Sequence, residues 1–235
     1  AGIYTFDSVA LPTINNAGTA GIAKNGALAG SSTVVAGGQI GNAMNTTAAA
    51  GARMEIAGSG FDTVVSASWT VSAWFKGLYG TGDWRTLVRG TVNGHHQVII
   101  ETGTWRLGTH MGSFIDSGYV IPVALRNDTT NWHQITAVAT GTTTTFFIDG
   151  VQVGVSPNRS SDTIFSIGAY QGGSQRFAQN LDEVYVYQSA LTPAQVQNLY
   201  NNGAAIMVMA PGNSIPDASH VTVASGAVLD LNGIS

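Results

Sequence analysis

The sequence predicts an all-β protein, a two-sheet antiparallel jelly-roll sandwich with one short helix near residues 193–202. Three observations predict it. Short apolar-polar alternations recur along most of the chain, Gly-containing turns separate them, and Asp149-Gly150 joins two such runs as a tight hairpin.

Taken in order, IYTFD (Ile3 to Asp7) has the composition of a strand, whereas Asn15 to Gly51 is rich in Ala, Gly and Asn and weakly patterned. That stretch is expected to form long loops with short edge strands. From Ser68 the strand pattern is clear: SWTVSAWFKG sets Trp69, Val71, Ala73 and Phe75 against Thr70, Ser72, Trp74 and Lys76. RTLVRG, QVIIETG and WRLGTHMG follow. WHQITAVATG and TTTTFFIDGVQVG read as strand, turn, strand, and TIFSIGAYQ (Thr163 to Gln171) and LDEVYVY (Leu181 to Tyr187) complete a series typical of a sandwich.

The helix has start and stop signals. Thr192 is the expected N-cap, Pro193 the first helical residue, Gln195 the second half of a capping box, and Leu191 with Val196 a hydrophobic staple. Gly203 supplies the end. Val196, Leu199 and Tyr200 share one face, which is expected to cover a sheet edge or plug one end of the core. Composition shifts again near Met209 to Asn213, dividing the chain into a jelly roll, 1–208, and a C-terminal β-strand extension or partial repeat, 209–235. The extension is too short to bury a core alone.

Composition narrows the function classes. At 235 residues one all-β domain is long enough for a sizeable core, and 44% apolar residues can fill it. Only 9% of residues are charged, so Thr, Ser, Asn, Gln and Gly must make the surface. A net charge of -4 with Lys24 and Lys76 as the only lysines offers no basic stripe, which argues against nucleic acid and anionic membranes. The absence of cysteine removes disulfides, thiolate metal sites and thiol catalysis. No apolar run is long enough for membrane insertion as a helix. A Lys-poor, Thr- and Asn-rich surface suits a secreted or cell-surface protein, and the chain reads as a mature segment excised from a longer one.

The order WTVSAWFKG, WHQITAVATGTTTTFFIDGVQVG, FSIGAYQGG, LDEVYVYQSALTPAQVQNLY resembles the bacterial laminin-G-like branch of the concanavalin-A-like jelly rolls. YTFD and QIGNAMNTTAAAGARMEI resemble that family's opening strands. The match runs from about Ile3 to Gly203 and is most specific over Trp132 to Tyr200, although Gln179-Asn180 stands where a small Gly is common before the final strand. The resemblance implies a module of exported, multidomain bacterial proteins that binds a glycan or a protein. The tail IPDASHVTVASGAVLDLNG is similar to autotransporter-associated β-strand repeats, which favours export.

The same resemblance implies a structural Ca²⁺ between the first and last strands, with Asp7, Asn25 and Asp182 as ligands and carbonyls of the Ile22 to Asn25 loop completing the shell. Asp182 draws attention independently. Strand alternation places it on the face of Val184 and Val186, where a carboxylate needs a partner.

Glycan binding needs aromatic faces and a few convergent polar groups. Trp84 and Arg85 follow the loop LYGTGD, Trp105 and Arg106 follow a TG turn, and Tyr119, Tyr170 and Arg176 lie in or beside loops; these are the candidate ligand-binding residues. Trp69, Trp74 and Trp132 read as core or strand residues. Catalysis finds less support. A glycosidase needs two carboxyl groups roughly 5 to 9.5 Å apart, yet none of Glu55, Glu101 and Glu183 has an acid two positions away. GHHQVIIE holds residue types suited to a polysaccharide lyase, but adjacent His95 and His96 point apart and read as ordinary strand residues, and no histidine spacing suits a metal. The sequence therefore predicts a non-catalytic carbohydrate-binding module fused to other domains, with a polysaccharide or other glycan as partner. The alternatives are a structural or adhesive module of a large surface protein, then a lyase or glycoside hydrolase.

Overall fold

The computed structural model describes residues 1–7, 9–49, 51–62, 67–79, 84–170 and 174–202. Its elements begin with β1 (Gly2–Tyr4), β2 (Val9–Ala10), β3 (Thr13–Ile14), a 3₁₀ turn (Gly21–Lys24), β4 (Gly26–Ala29), β5 (Thr33–Ala36), β6 (Asn42–Asn45) and β7 (Arg53–Ile56). β8 (Ser68–Leu78), β9 (Arg85–Arg89), β10 (His95–Ile100), β11 (Arg106–Met111), β12 (Phe114–Val120) and α1 (Val123–Asn127) follow. β13 (His133–Thr140), β14 (Thr143–Ile148), β15 (Val151–Ser156), β16 (Ser166–Ile167), β17 (Ala178–Tyr187) and α2 (Pro193–Asn202) complete the described chain.

These strands make the expected antiparallel jelly-roll sandwich. The first sheet has the order β15-β14-β13-β8-β17-β6-β5, with β1 also on β17; the second runs β12-β11-β10-β9-β16-β7-β4-β3-β2. β1 pairs with β17 in the register Gly2↔Val186 and Tyr4↔Val184, so the opening and closing strands are neighbours. Trp69, Val71, Ala73 and Phe75 point into the core with Leu181, Val184 and Val186, and meet Met54, Ile56, Val98, Ile100 and Leu107 of the second sheet. Each large side chain so buried contributes about 1.5 to 3 kcal/mol.

The other face of the first sheet is also roofed. Val138, Phe147, Tyr185 and Tyr187 pack with Leu191, Val196 and Leu199, and Tyr200 stacks on Trp74 with centroids 5.4 Å apart. α2 therefore covers a sheet face, rather than the edge or core end expected, because β8 and β17 carry apolar side chains on both sides. Its capping box forms: Thr192 N donates to Gln195 Oε1 at 2.8 Å and Gln195 N to Thr192 Oγ1 at 3.3 Å. Asp149 and Gly150, with φ of 50° and 76°, make the two-residue turn joining β14 to β15.

Three expectations change. Within Asn15 to Gly51 only β5 is an edge; β4 lies between β3 and β7, and β6 between β5 and β17. These short strands owe their place to distant partners, which local patterning does not show. Thr163 to Gln171 shortens to Ser166–Ile167, because Gly168 turns the chain at φ +98°. β12 and α1 were not anticipated. The C-terminal extension, 209–235, and Gly203 lie outside the described residues.

Candidate functional site

Cross-strand register lines up one row across the outer face of the second sheet. Ala27 pairs with Glu55, Glu55 with Ser166, Ser166 with Arg89, Arg89 with His96, His96 with His110, and His110 with Phe114. Opposed residues in an antiparallel pair share a face, so the row is continuous. The neighbouring core row, Met54, Ile167, Val88 and Val98, points the other way.

Loop residues close over this row. Trp84 meets His110 and Phe114 edge-on, at 5.9 and 5.5 Å between centroids. His96 packs against His110 at 5.6 Å and Tyr170 at 6.5 Å, and the Arg89 guanidinium lies 4.4 Å from the centre of the Tyr170 ring. Thr86 Oγ1 is 3.0 Å from His96 Nδ1 and donates to Gln175 Oε1 at 2.9 Å, which orients the imidazole. Burial, reinforced by Arg89, His110 and His95, pushes the His96 pKa down to about 3. His96 is therefore neutral at physiological pH. The result is an aromatic surface edged with amide, hydroxyl, imidazole and guanidinium groups, suited to stacking a sugar ring and bonding its hydroxyls.

Of the seven ligand-binding candidates, this face gathers Trp84 and Tyr170. Arg176 lies beside it: its Nη1 donates to the Thr46 and Thr47 carbonyls, both at 3.0 Å, and its guanidinium packs on Tyr79 at 3.9 Å. The others sit elsewhere. The Trp105 ring already carries two guanidiniums, Arg85 at 3.6 Å and Arg126 at 4.9 Å. Arg106 pairs with Asp116, and Tyr119 is half-buried. Sequence reading missed Arg89, His96, His110 and Phe114 as partners. The alternation of His95 and His96 was visible, but which strands lay beside them was not.

Near the β14–β15 turn, a pocket of about 260 Å³ is lined by Pro122, Ala124, Leu125, Asp128, His133 and Asp149. His133 bridges two carboxylates there, with Nδ1 2.8 Å from Asp149 and Nε2 3.3 Å from Asp128. Asp149 also accepts from Gln134 N, and Asp128 from Thr130 N and Asn131 N, so the cluster ties loops together.

The acids expected to hold a cation depart from simple alternation. Leu181 pairs with Phe75 and Asp182 with Trp74, but the register then slips by one residue, so Glu183 and Val184 together face Ala73. Glu183 adopts φ +48° at this bulge. Asp182 is consequently on the outer face with Trp74, opposite Val184 and Val186, which corrects the face predicted for it. The turn between β5 and β6 covers it: Ile40 N donates to Asp182 Oδ2 at 3.1 Å, and Asn42 N to Asp7 Oδ1 at 2.7 Å. Gly38 is required, since a Cβ there would stand 2.6 Å from Asp182 Oδ2. Asp182 and Glu183 are both fully buried, and no cation pairs with them or Asp7 among the described residues. Burial, chiefly, pushes the Asp182 pKa up to about 8, and burial with the Asp7 charge also raises that of Glu183. Glu183 Oε2 accepts the Tyr185 hydroxyl, while Oε1 has no partner. Asn25 is occupied elsewhere, its Oδ1 by Asn16 N at 2.9 Å and its carbonyl by Ala57 N at 2.9 Å. Among the described residues the acids do not form a ready-made metal-ligand set.

The two antiparallel sheets define a jelly-roll β-sandwich domain. Residues 50–197 match the Laminin_G_3 family of the concanavalin A-like lectin/glucanases superfamily, and the chain belongs to that family. No curated protein sequence matches it. Among solved structures, domain 4 of AbnA, a GH43 extracellular arabinanase from Geobacillus stearothermophilus in complex with arabinotriose, is similar at 20% identity and a TM-score of 0.62, covering 85% of this chain and 97% of that one. The binding domain of Paraclostridial Mosquitocidal Protein 1 is similar at 17% identity and a TM-score of 0.63, covering 85% and 51%. Trypanosoma rangeli sialidase is similar at 10% identity and a TM-score of 0.60, covering 85% and 32%. These likenesses concern the fold. No described helix is long and apolar enough to cross a membrane.

Proposed function

We propose that this chain is a non-catalytic carbohydrate-binding module of an exported bacterial protein and that it binds its glycan on the outer face of the second sheet. The observation that carries this reading is the row Arg89, His96, His110 and Phe114, capped by Trp84 and Tyr170. The arabinotriose complex of the similar AbnA domain supports sugar binding on this fold. The single carboxylate in the row, Glu55, is bonded to Arg53 at 2.6 Å, which supports binding without the acid pair that hydrolysis requires.

A structural Ca²⁺ belongs to the same reading. A cation would have to draw Asp7, Asp182 and Glu183 together out of their present hydrogen bonds; Glu183 Oε1 has no other partner, and a divalent charge would offset the repulsion among the three acids. Glu183 replaces Asn25 in the proposed set.

Affinity electrophoresis against a polysaccharide panel tests the function. Retardation by at least one glycan, weakened in Trp84→Ala and kept in Trp105→Phe, is expected. A protein retarded by none would be a spacer or adhesive module instead.

A further inference from the structure

Arg89 occupies the middle of the outer row, yet its exposure is 0%. Its Nη2 donates to the Val92 carbonyl at 3.1 Å, while Nε and Nη1 have no partner. No carboxylate forms a direct ion pair with it among the described residues, and the Asp162 charge reaches it only from farther off. A buried guanidinium with two idle donors is costly, since its charge has left water and gained little in return. Its row neighbours do not compensate: Ser166 Oγ donates to the Ala169 carbonyl, and Thr86 lies beside His96 Nδ1. Arg53, the next cation along the face, is already paired with Glu55.

The cover over Arg89 is slight. Tyr170 packs its ring there, is itself half-buried, and its hydroxyl makes a long bond to Asn93 Oδ1 at 3.4 Å and interacts with the Arg89 guanidinium beneath it. Rotating that side chain would present the idle Nε and Nη1 donors of Arg89 beside the aromatic surface of Trp84 and Phe114. Either idle N–H of the guanidinium can donate a charge-assisted bond to a carboxylate. Neutral hydroxyls would leave the charge uncompensated.

Resting on the proposal that this face binds a glycan, we infer that the glycan is acidic, with a uronate carboxylate accepting a charge-assisted bond from Arg89 Nε or Nη1 while a neighbouring ring stacks on Trp84. Affinity electrophoresis of the intact protein, using polygalacturonate and alginate, each against its methyl ester, and neutral arabinan, tests this. At least one free acid is expected to bind roughly 10- to 100-fold more tightly than its ester, the range for a hydrogen-bonded charge, and to weaken with salt. Arg89→Lys should retain part of that preference. Arg89→Gln should lose it, with circular dichroism reporting whether it folds. Equal affinity for acid and ester, or binding of arabinan alone, overturns the acidic ligand and leaves the glycan face standing. Binding of nothing in a wide panel overturns both.

Discussion

Asp182 and Trp74 are direct cross-strand partners on the helix-covered face of the first sheet, a fully buried carboxylate against a tryptophan that stacks on Tyr200. An apolar neighbour, a one-residue bulge and a tight glycine turn together deny that carboxylate water. Its protonation is therefore coupled to folding.

The sign follows from the two pKa values. Asp182 ordinarily titrates at 3.8 and in the fold near 8, so the folded state holds the extra proton between them, and the group's contribution to stability is lost as pH rises through 8. His96 acts oppositely. Its pKa falls from 6.5 to about 3, so its contribution is present above 6.5 and lost as pH falls toward 3. Below 6.5 the two oppose each other. In EDTA the melting temperature should fall between pH 6.5 and 8.5, and Asp182→Asn should flatten that slope. An EDTA melt independent of pH over this window would show that Asp182 is not buried as an acid.

Calcium should abolish the same slope, because a cation that binds the ionised acids and only the folded state stabilises it by mass action. Scanning calorimetry at pH 8 with Ca²⁺ on the order of 100-fold over its dissociation constant, against EDTA, should show about 2.7 kcal/mol of stabilisation. Identical melts would remove the site.

Glu183 has φ +48°, a region that a β-branched residue enters only with strain. Glu183→Val should be less stable than Glu183→Gln by about 1 to 3 kcal/mol. Gln retains the bond from the Tyr185 hydroxyl and sheds the charge, so it should gain stability at pH 8 without calcium. Urea unfolding of both variants decides this.

Trp84 and Trp105 should separate cleanly. Trp84→Ala should weaken glycan binding about tenfold, ~1.4 kcal/mol, with little change in the melt. Trp105→Ala strips the ring from between Arg85 and Arg126 and should cost about 2 to 3 kcal/mol of stability while sparing affinity. Titration calorimetry and urea midpoints check the pair. Equal affinity losses would move the binding surface to the loop rim.

At the helix, Thr192→Ala removes the bond that Thr192 Oγ1 accepts from Gln195 N, leaving the backbone half of the capping box, and should cost about 1 kcal/mol. Val196→Ala, at a fully buried site on the same helix, should cost more. Thermal melts that rank them the other way would contradict the docking of α2.

Local features were legible wherever a residue's own neighbours dictate its conformation. The Asp149-Gly150 turn, the Thr192 to Gln195 box and the inward set of Trp69 to Phe75 all follow from spacing and turn chemistry, and the sandwich follows from their sum. What alternation could not convey was a break in alternation. Glu183 shows no sequence sign of a bulge, yet that one extra residue moved Asp182 to the opposite face. The binding row is likewise invisible along the chain. Glu55, Arg89, His96, His110 and Ser166 come from five strands, and only inter-strand register, fixed by hydrogen bonds between residues far apart in sequence, sets them side by side. Sequence by itself determined β8, β13 to β15, β17, the hairpin turn and α2, because those depend on short-range sterics and periodicity. Tertiary structure alone decided which side chains meet, because burial and pairing are properties of the assembled sheets.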